Sequence, residues 1–265
     1  MNTTAIATIV RKEWAEMYRN SLVLSTVIFM PLLFTALPLV ILGVGSGFDS
    51  GSEALLSELP PQMASLCAGL TSGQCGQIYI VSQFMLMFML IPVMIPATIT
   101  PYSIVGEKTQ RSLEPLLATP ISTAELLTGK NLAAILPGVI ATWLAFALFA
   151  VGARLLLASS LAFSRLFDAR WLIAIFLLGP LLAVFANALA IMVSSRSNDP
   201  RVAQQVSSLL VFPVIMLFLG QMIGWIVFDT SFALILCLVF LILDIALTYL
   251  AVRIFDRETI LTRWA

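Results

Sequence analysis

The chain has 265 residues, 60% of them hydrophobic and 11% charged, with 14 basic and 14 acidic side chains and no histidine. A soluble domain carries roughly 25% charged residues, so lipid is the expected solvent for most of this chain. Zero net charge gives no reason to expect a nucleic-acid partner, and the lack of histidine excludes Ser-His or Cys-His catalysis and His-bearing metal sites.

Residues Thr3 to Asn20 read as a helix. Ile6, Ile9, Val10, Trp14 and Met17 recur at steps of three and four, with Arg11, Lys12, Glu16 and Arg19 on other faces. Residues 1–21 are therefore expected to lie along the inner membrane surface, with Trp14 at headgroup depth. A charge-free run follows from Asn20 to Phe48, long enough for the ~20-residue helix that crosses a bilayer. Span one is placed at about Leu22–Val44, with Pro31 and Pro38 inside it. Membrane helices tolerate such prolines where neighbours satisfy the freed carbonyls. The run is too long for the core of a cleaved signal peptide.

An outer loop, residues 45–77, contains Cys67 and Cys75. A disulfide between them is chemically allowed there, and two free small residues are the alternative. Span two is placed at about Ile78–Ile99, with Pro101 predicted to end it. It carries FMLMFML, and span five carries Phe212, Met216 and Phe218. Flexible Met and flat Phe suit a pathway for greasy substrates, with Phe84, Met85, Phe88, Phe212 and Met216 as the candidate lining. They equally suit core or lipid-facing packing.

Residues 101–130 are the longest charged and turn-rich stretch between apolar blocks. Val105, Leu113, Leu116 and Leu117 alternate with Glu107, Lys108, Arg111 and Glu114, as in a short helix with one greasy and one charged side. Thr119-Pro120 breaks it. Ser122, followed three residues later by Glu125, is a capping box that starts a second helix. That helix runs through Lys130 into span three, about Asn131–Gly152. Thr128-Gly129-Lys130 is the end of a phosphate-loop pattern, but Ala124 stands where the pattern needs glycine, and the stretch opens a membrane helix. The chain therefore has no visible ATP site of its own, and no metal site is expected.

Span four is placed at Trp171–Val193. Asp199, before Pro200, caps the next helix. Span five begins near Val202 and is interrupted at Pro213. Gly220 and Gly224 form a GxxxG pair suited to close helix approach. Span six covers about Ser231–Val252, leaving 253–265 as a tail. The expected fold is all-α, with residues 22–252 forming a six-span transmembrane domain. Eleven of the 14 basic residues fall on the side holding both termini, which makes that side cytoplasmic. Asp244 is the ionisable residue well inside a span. It reads either as a cation or proton site or as a hydrogen-bonded structural acid. Asn187 and Gln221 are further buried polar candidates, read as interhelical hydrogen bonders.

GEKTQRSLEPLLATPISTAELLTGKNLAAILP resembles the segment between spans two and three of ABC type-2 transporter permeases. The N-terminal RKEW, the six-span layout and the tail FDRETILTRW are also similar to that family. The resemblance implies the membrane subunit of a bacterial or archaeal inner-membrane exporter, with both termini cytoplasmic. It would work as a dimer, homodimeric rather than heterodimeric, coupled to a separate ATPase subunit that binds ATP and Mg. The chain itself would carry no cofactor and no catalytic residue. Residues Val105–Leu117 would form the coupling helix seated on the ATPase, engaged through Glu107, Lys108, Arg111, Leu113, Glu114, Leu116 and Leu117. Substrate would pass between the copies, along spans two and five. Many members of the family have a re-entrant element between spans five and six, whereas here only Trp225–Ser231 separates them, unless span five is short and breaks at Gly220. The outer insertion lies between spans one and two instead, and the substrate stays open. The rival reading is a stand-alone ion-coupled secondary transporter using Asp244.

Overall fold

The computed structural model describes residues 3–44, 69–109, 122–157 and 159–254. All the elements among them are helical. They are α1 (Thr3–Arg19), α2 (Ser21–Val44), α3 (Ser72–Met85), a 3-10 turn (Leu86–Met89), α4 (Leu90–Thr109), α5 (Thr123–Leu156), α6 (Ser160–Leu166), α7 (Ala169–Ile173), a π-helical stretch (Ala174–Leu178), α8 (Gly179–Arg196), α9 (Pro200–Ser208), α10 (Val211–Met222) and α11 (Thr230–Ile254). Six segments are long and apolar enough to cross a membrane: Val23–Val44, Gly73–Glu107, Ala124–Leu156, Ala169–Arg196, Pro200–Met222 and Thr230–Leu250. The all-α, six-span expectation therefore holds.

The second span is the centre of the bundle. α4 packs most heavily on α8 and then on α5, while α5 also holds α2 and α1. Phe88, Phe146 and Phe149 form an aromatic core between the 3-10 turn and α5, with ring centroids 6.0 and 5.6 Å from Phe88. By contrast, α10 and α11 leave most of their large apolar side chains exposed. At the far end, Trp171 stacks on Phe228 at 5.2 Å, and the Arg170 guanidinium donates to the Phe228 carbonyl at 3.3 Å.

Proline shapes most of the irregularities. Pro101 does not end span two, because the helix continues to Thr109. Burial of Ile104, Val105 and Glu107 against neighbouring helices outweighs one missing backbone bond. In the fourth span the Gly179 amide donates back to Ala174, the five-residue step of a π turn. The Ile175 carbonyl would then need the amide of residue 180, which is a proline. The Trp143 indole on α5 donates to that carbonyl instead, at 3.2 Å. The fifth span breaks at Leu209–Leu210, at the carbonyl four residues before Pro213, where the ring would clash.

The fifth span closes with a Schellman turn. The Trp225 amide donates to the Gly220 carbonyl at 2.9 Å and the Gly224 amide to Gln221 at 3.1 Å, with Gly224 at φ +81°. This corrects the reading of Gly220 and Gly224 as a helix-packing pair. Gly224 supplies the left-handed residue that ends α10. A Cβ on Gly220 would meet the Ile226 side chain folding back over it, at 2.8 Å. Asp229 then caps α11 by accepting from Phe232 at 2.7 Å, so the connection between spans five and six is the Schellman turn and the short irregular stretch 226–229.

Candidate functional site

The most densely charged place among the described residues is the joint where α1, the end of α4 and the start of α5 meet. The capping box fixes where α5 begins. Ser122 Oγ accepts from the Glu125 amide at 3.3 Å and Glu125 Oε2 accepts from the Ser122 amide at 3.1 Å. Two turns later α5 approaches α1 so closely that a Cβ on Gly129 would sit 2.8 Å from Ile9. Only glycine admits this approach without displacing Ile9. The Trp14 indole of α1 then donates to the Ala133 carbonyl at 3.0 Å. That carbonyl lacks its helical partner because residue 137 is a proline. Trp14 and Trp143 thus serve the same purpose in two places, each supplying a donor that a proline removed.

Between these contacts lies a buried ion cluster. Lys130 Nζ on α5 is 2.9 Å from Glu13 Oε1 on α1, 2.7 Å from Glu107 Oε2 on α4 and 2.9 Å from Ser103 Oγ. Glu13, Glu107 and Lys130 are only 6%, 5% and 7% exposed. Lys12, at the rim, hydrogen-bonds Glu107 and lies 3.5 Å from Glu13 and 3.3 Å from Glu16. Burial alone would raise the Glu13 carboxyl, but the charge and hydrogen bond of Lys130, with help from Ser103 and Lys12, hold it below the usual carboxylate range. Burial alone would lower the Lys12 ammonium, yet the hydrogen bond and charge of Glu107 and the neighbouring Glu13 and Glu16 push it well above the ordinary lysine value. A cluster of this kind is held only while each charge keeps its partner. Mechanically it ties three helices at one point.

The joint has a definite place in the chain. It joins the two helix ends, at Thr109 and Ser122, that flank residues 110–121. Arg111, Leu113, Glu114, Leu116, Leu117 and Cys67 lie outside the described residues, as do 255–265 of the tail. Lys108 is in the last turn of α4. Glu107, expected to face a soluble partner, is instead buried between Lys130 and the rim residue Lys12, where it pairs with both ammonium groups.

The pathway candidates are not brought together. Met85 and Phe88 are fully buried in the core and line no open route, since the aromatic rings of α5 fill the space around Phe88. Phe84 is half-buried, 6.2 Å from Phe218, while Phe212 and Met216 are exposed on α10. Asn187 behaves as an interhelical hydrogen bonder. Thr100 of α4 donates to its Oδ1 at 2.7 Å, and its Nδ2 donates to Asn131 of α5 at 2.8 Å. Gln221 and Asp244 are buried as well. Among the described residues Gln221 Oε1 and both Asp244 carboxylate oxygens have no hydrogen-bond partner. Cys75 is disulfide-bonded and Cys237 is free.

Sequence reasoning missed Glu13 and the role of Lys130. The signal was present. Glu13 occupies the apolar stripe of α1 between Ile9 and Met17, four residues from each, and an acid in that position needs a buried cation. Gln83, buried with neither side-chain polar atom partnered among the described residues, was also passed over.

A family model described as ABC-2 family transporter protein matches residues 7–235. No match is found among curated proteins.

Proposed function

Because the chain belongs to the ABC-2 family of transporter proteins, we propose that it is the membrane-spanning permease subunit of an ATP-driven exporter, working as a dimer and coupled to a separate cytoplasmic ATPase subunit. The observation that carries this reading is the buried ion cluster of Glu13, Glu107 and Lys130. It binds together the two helices that flank residues 110–121, at the end of the bundle expected to be cytoplasmic from the distribution of basic residues along the sequence. A motor that closes on ATP must push on something stiff. A segment anchored at both ends to one triangulated joint passes a push to spans two and three together, with α1 as the brace. The ATPase subunit supplies the ATP and Mg sites, while this chain holds and moves the helices.

In this reading both termini are cytoplasmic and the membrane is a bacterial or archaeal inner membrane. Two identical copies enclose the substrate route, with the exposed α10 face that carries Phe212 and Met216 turned toward it. The test is co-isolation of an ATPase subunit from native membranes, followed by ATP-dependent export from proteoliposomes containing both. Leu113→Asp and Glu114→Arg are expected to uncouple ATP hydrolysis from export while leaving the permease folded. Full coupling in both variants would remove the lever role from 110–121.

The unpartnered Asp244 carboxylate supports one rival, an ion-coupled carrier working alone. Transport by the permease in the absence of the ATPase, driven by an ion gradient and abolished in Asp244→Asn, would replace the exporter reading. Wild-type export by Asp244→Asn is the outcome expected of a structural acid.

A further inference from the structure

An open cavity of about 540 Å³ lies between α1, α2 and α5, on the outside of the bundle and away from the ion cluster. Trp14 and Tyr18 form its floor. Its walls run from Leu24 to Thr35 on α2 and from Pro137 to Leu148 on α5. Each wall is twelve residues long, eleven steps or about 16 Å at a helical rise of about 1.5 Å per residue. The Thr35 hydroxyl, 3.3 Å from the Ala145 carbonyl, shows that the two walls are level with each other. Half of a hydrocarbon core about 30 Å thick is about 15 Å, so the groove is as deep as one leaflet.

Its chemistry is one-ended. The Thr35 hydroxyl is committed to the Pro31 carbonyl and the Trp14 indole to the Ala133 carbonyl, so both are already satisfied by the protein itself. The Tyr18 side chain is exposed at the floor. Arg11, exposed, precedes Trp14 by three residues and Tyr18 by seven, which places it on the same side of α1. Among the described residues Arg11 enters no ion pair, whereas Lys12 is tied into the cluster. The site therefore offers a free cation and a phenol at one end and a leaflet-deep apolar slot beyond them.

We propose that this groove holds one acyl chain of an anionic glycerophospholipid from the leaflet on the α1 side, with the lipid phosphate at Arg11 and Tyr18. The lipid fills the gap between α1 and the first and third spans and so seats the brace that carries the ion cluster. The proposal does not depend on the exporter reading, since lipid retention is measured on the purified permease with no ATPase present.

The test is native mass spectrometry of detergent-purified, delipidated protein titrated with phosphatidylglycerol or phosphatidylcholine of identical acyl chains. One lipid per chain is expected to persist. The anionic lipid should bind about fivefold more tightly, the factor that one surface basic residue provides. Arg11→Gln, at an exposed position, should erase that preference and leave binding of the neutral lipid unchanged. Ala141→Phe, which fills the slot from the α5 wall, should remove retention of both lipids. Equal affinity for the two lipids in the wild type, or undiminished retention in Ala141→Phe, would overturn the assignment. So would conversion of Ala141→Phe from dimer to monomer, which would give the groove to a second copy of the chain.

Discussion

Lys130→Met removes the cation at the centre of the α1–α4–α5 joint while keeping a side chain of similar length. In the wild type Lys130 faces two carboxylates, Glu13 at 2.9 Å and Glu107 at 2.7 Å, and a hydroxyl at 2.9 Å. Without it those carboxylates remain buried with Lys12 alone, which sits at the half-exposed rim. Removing one partner of a buried pair costs about 3–5 kcal/mol, because the charge left behind is uncompensated. For a chain of this size each kcal/mol moves the midpoint by roughly 2–4 °C, so a fall of roughly 10 °C is expected in thermal unfolding of the detergent-solubilised permease. Adding Glu107→Gln to Lys130→Met removes the orphaned charge and should recover part of the loss. The same pair of variants, combined with the ATPase, should show poor coupling for Lys130→Met and partial recovery for the double variant. A loss for Lys130→Met below about 1 kcal/mol, the range of an exposed ion pair, would refute the idea that the cluster holds the joint.

Trp14→Phe should leave the Ala133 carbonyl buried and unpaired, at a cost of about 1–3 kcal/mol. Pro137→Ala, which returns a backbone donor to that carbonyl, should rescue it in the same melting assay. Gly129→Ala should loosen α1 from α5 because its Cβ would meet Ile9, and Ile9→Ala should restore the fit, read as protease resistance of the N-terminal helix. Between about pH 5 and 9 neither Glu13 nor Lys12 should contribute any change in thermal stability. Glu13 is depressed in the folded protein, so its contribution is complete above the unfolded value near 4.3 and is lost as pH falls further. Lys12 is raised, so its contribution is complete below about 10.4 and is lost only as pH climbs past that value. A melting midpoint that drops between pH 6 and 8 in Asp244→Asn, which lacks the unpartnered buried carboxylate, would contradict both assignments.

What was legible in the sequence is what one helix decides alone. Charge-free runs located the spans, the Ser122–Glu125 spacing located the start of α5, and Asp199 before Pro200 located the start of α9. These depend on neighbours within one turn. Pro101 was misread because its local preference is to stop a helix, and whether it does so depends on packing from distant helices. Gly220 and Gly224 were misread because a GxxxG pair and a Schellman turn share a spacing, and only the backbone angle of Gly224 separates them. Met85 and Phe88 could not be told from pathway residues, because composition does not say which face of a span meets other helices.

The two tryptophan bonds answer one demand of the bilayer. A proline in a membrane helix leaves a carbonyl unpaired, and in lipid that carbonyl must find a donor. Trp14 reaches from α1 to the gap made by Pro137, and Trp143 reaches from α5 to the gap made by Pro180. The sequence holds prolines and tryptophans in several spans, and each pairing was invisible until the helices were assembled. In the assembled bundle α1 is under two separate obligations to α5, the Trp14 indole bond to the Ala133 carbonyl and the buried Glu13–Lys130 pair. A helix that merely floated on the membrane surface would need neither. Movement of α5 must therefore either carry α1 with it or break an interaction costing several kcal/mol, which makes α1 a moving part of the joint.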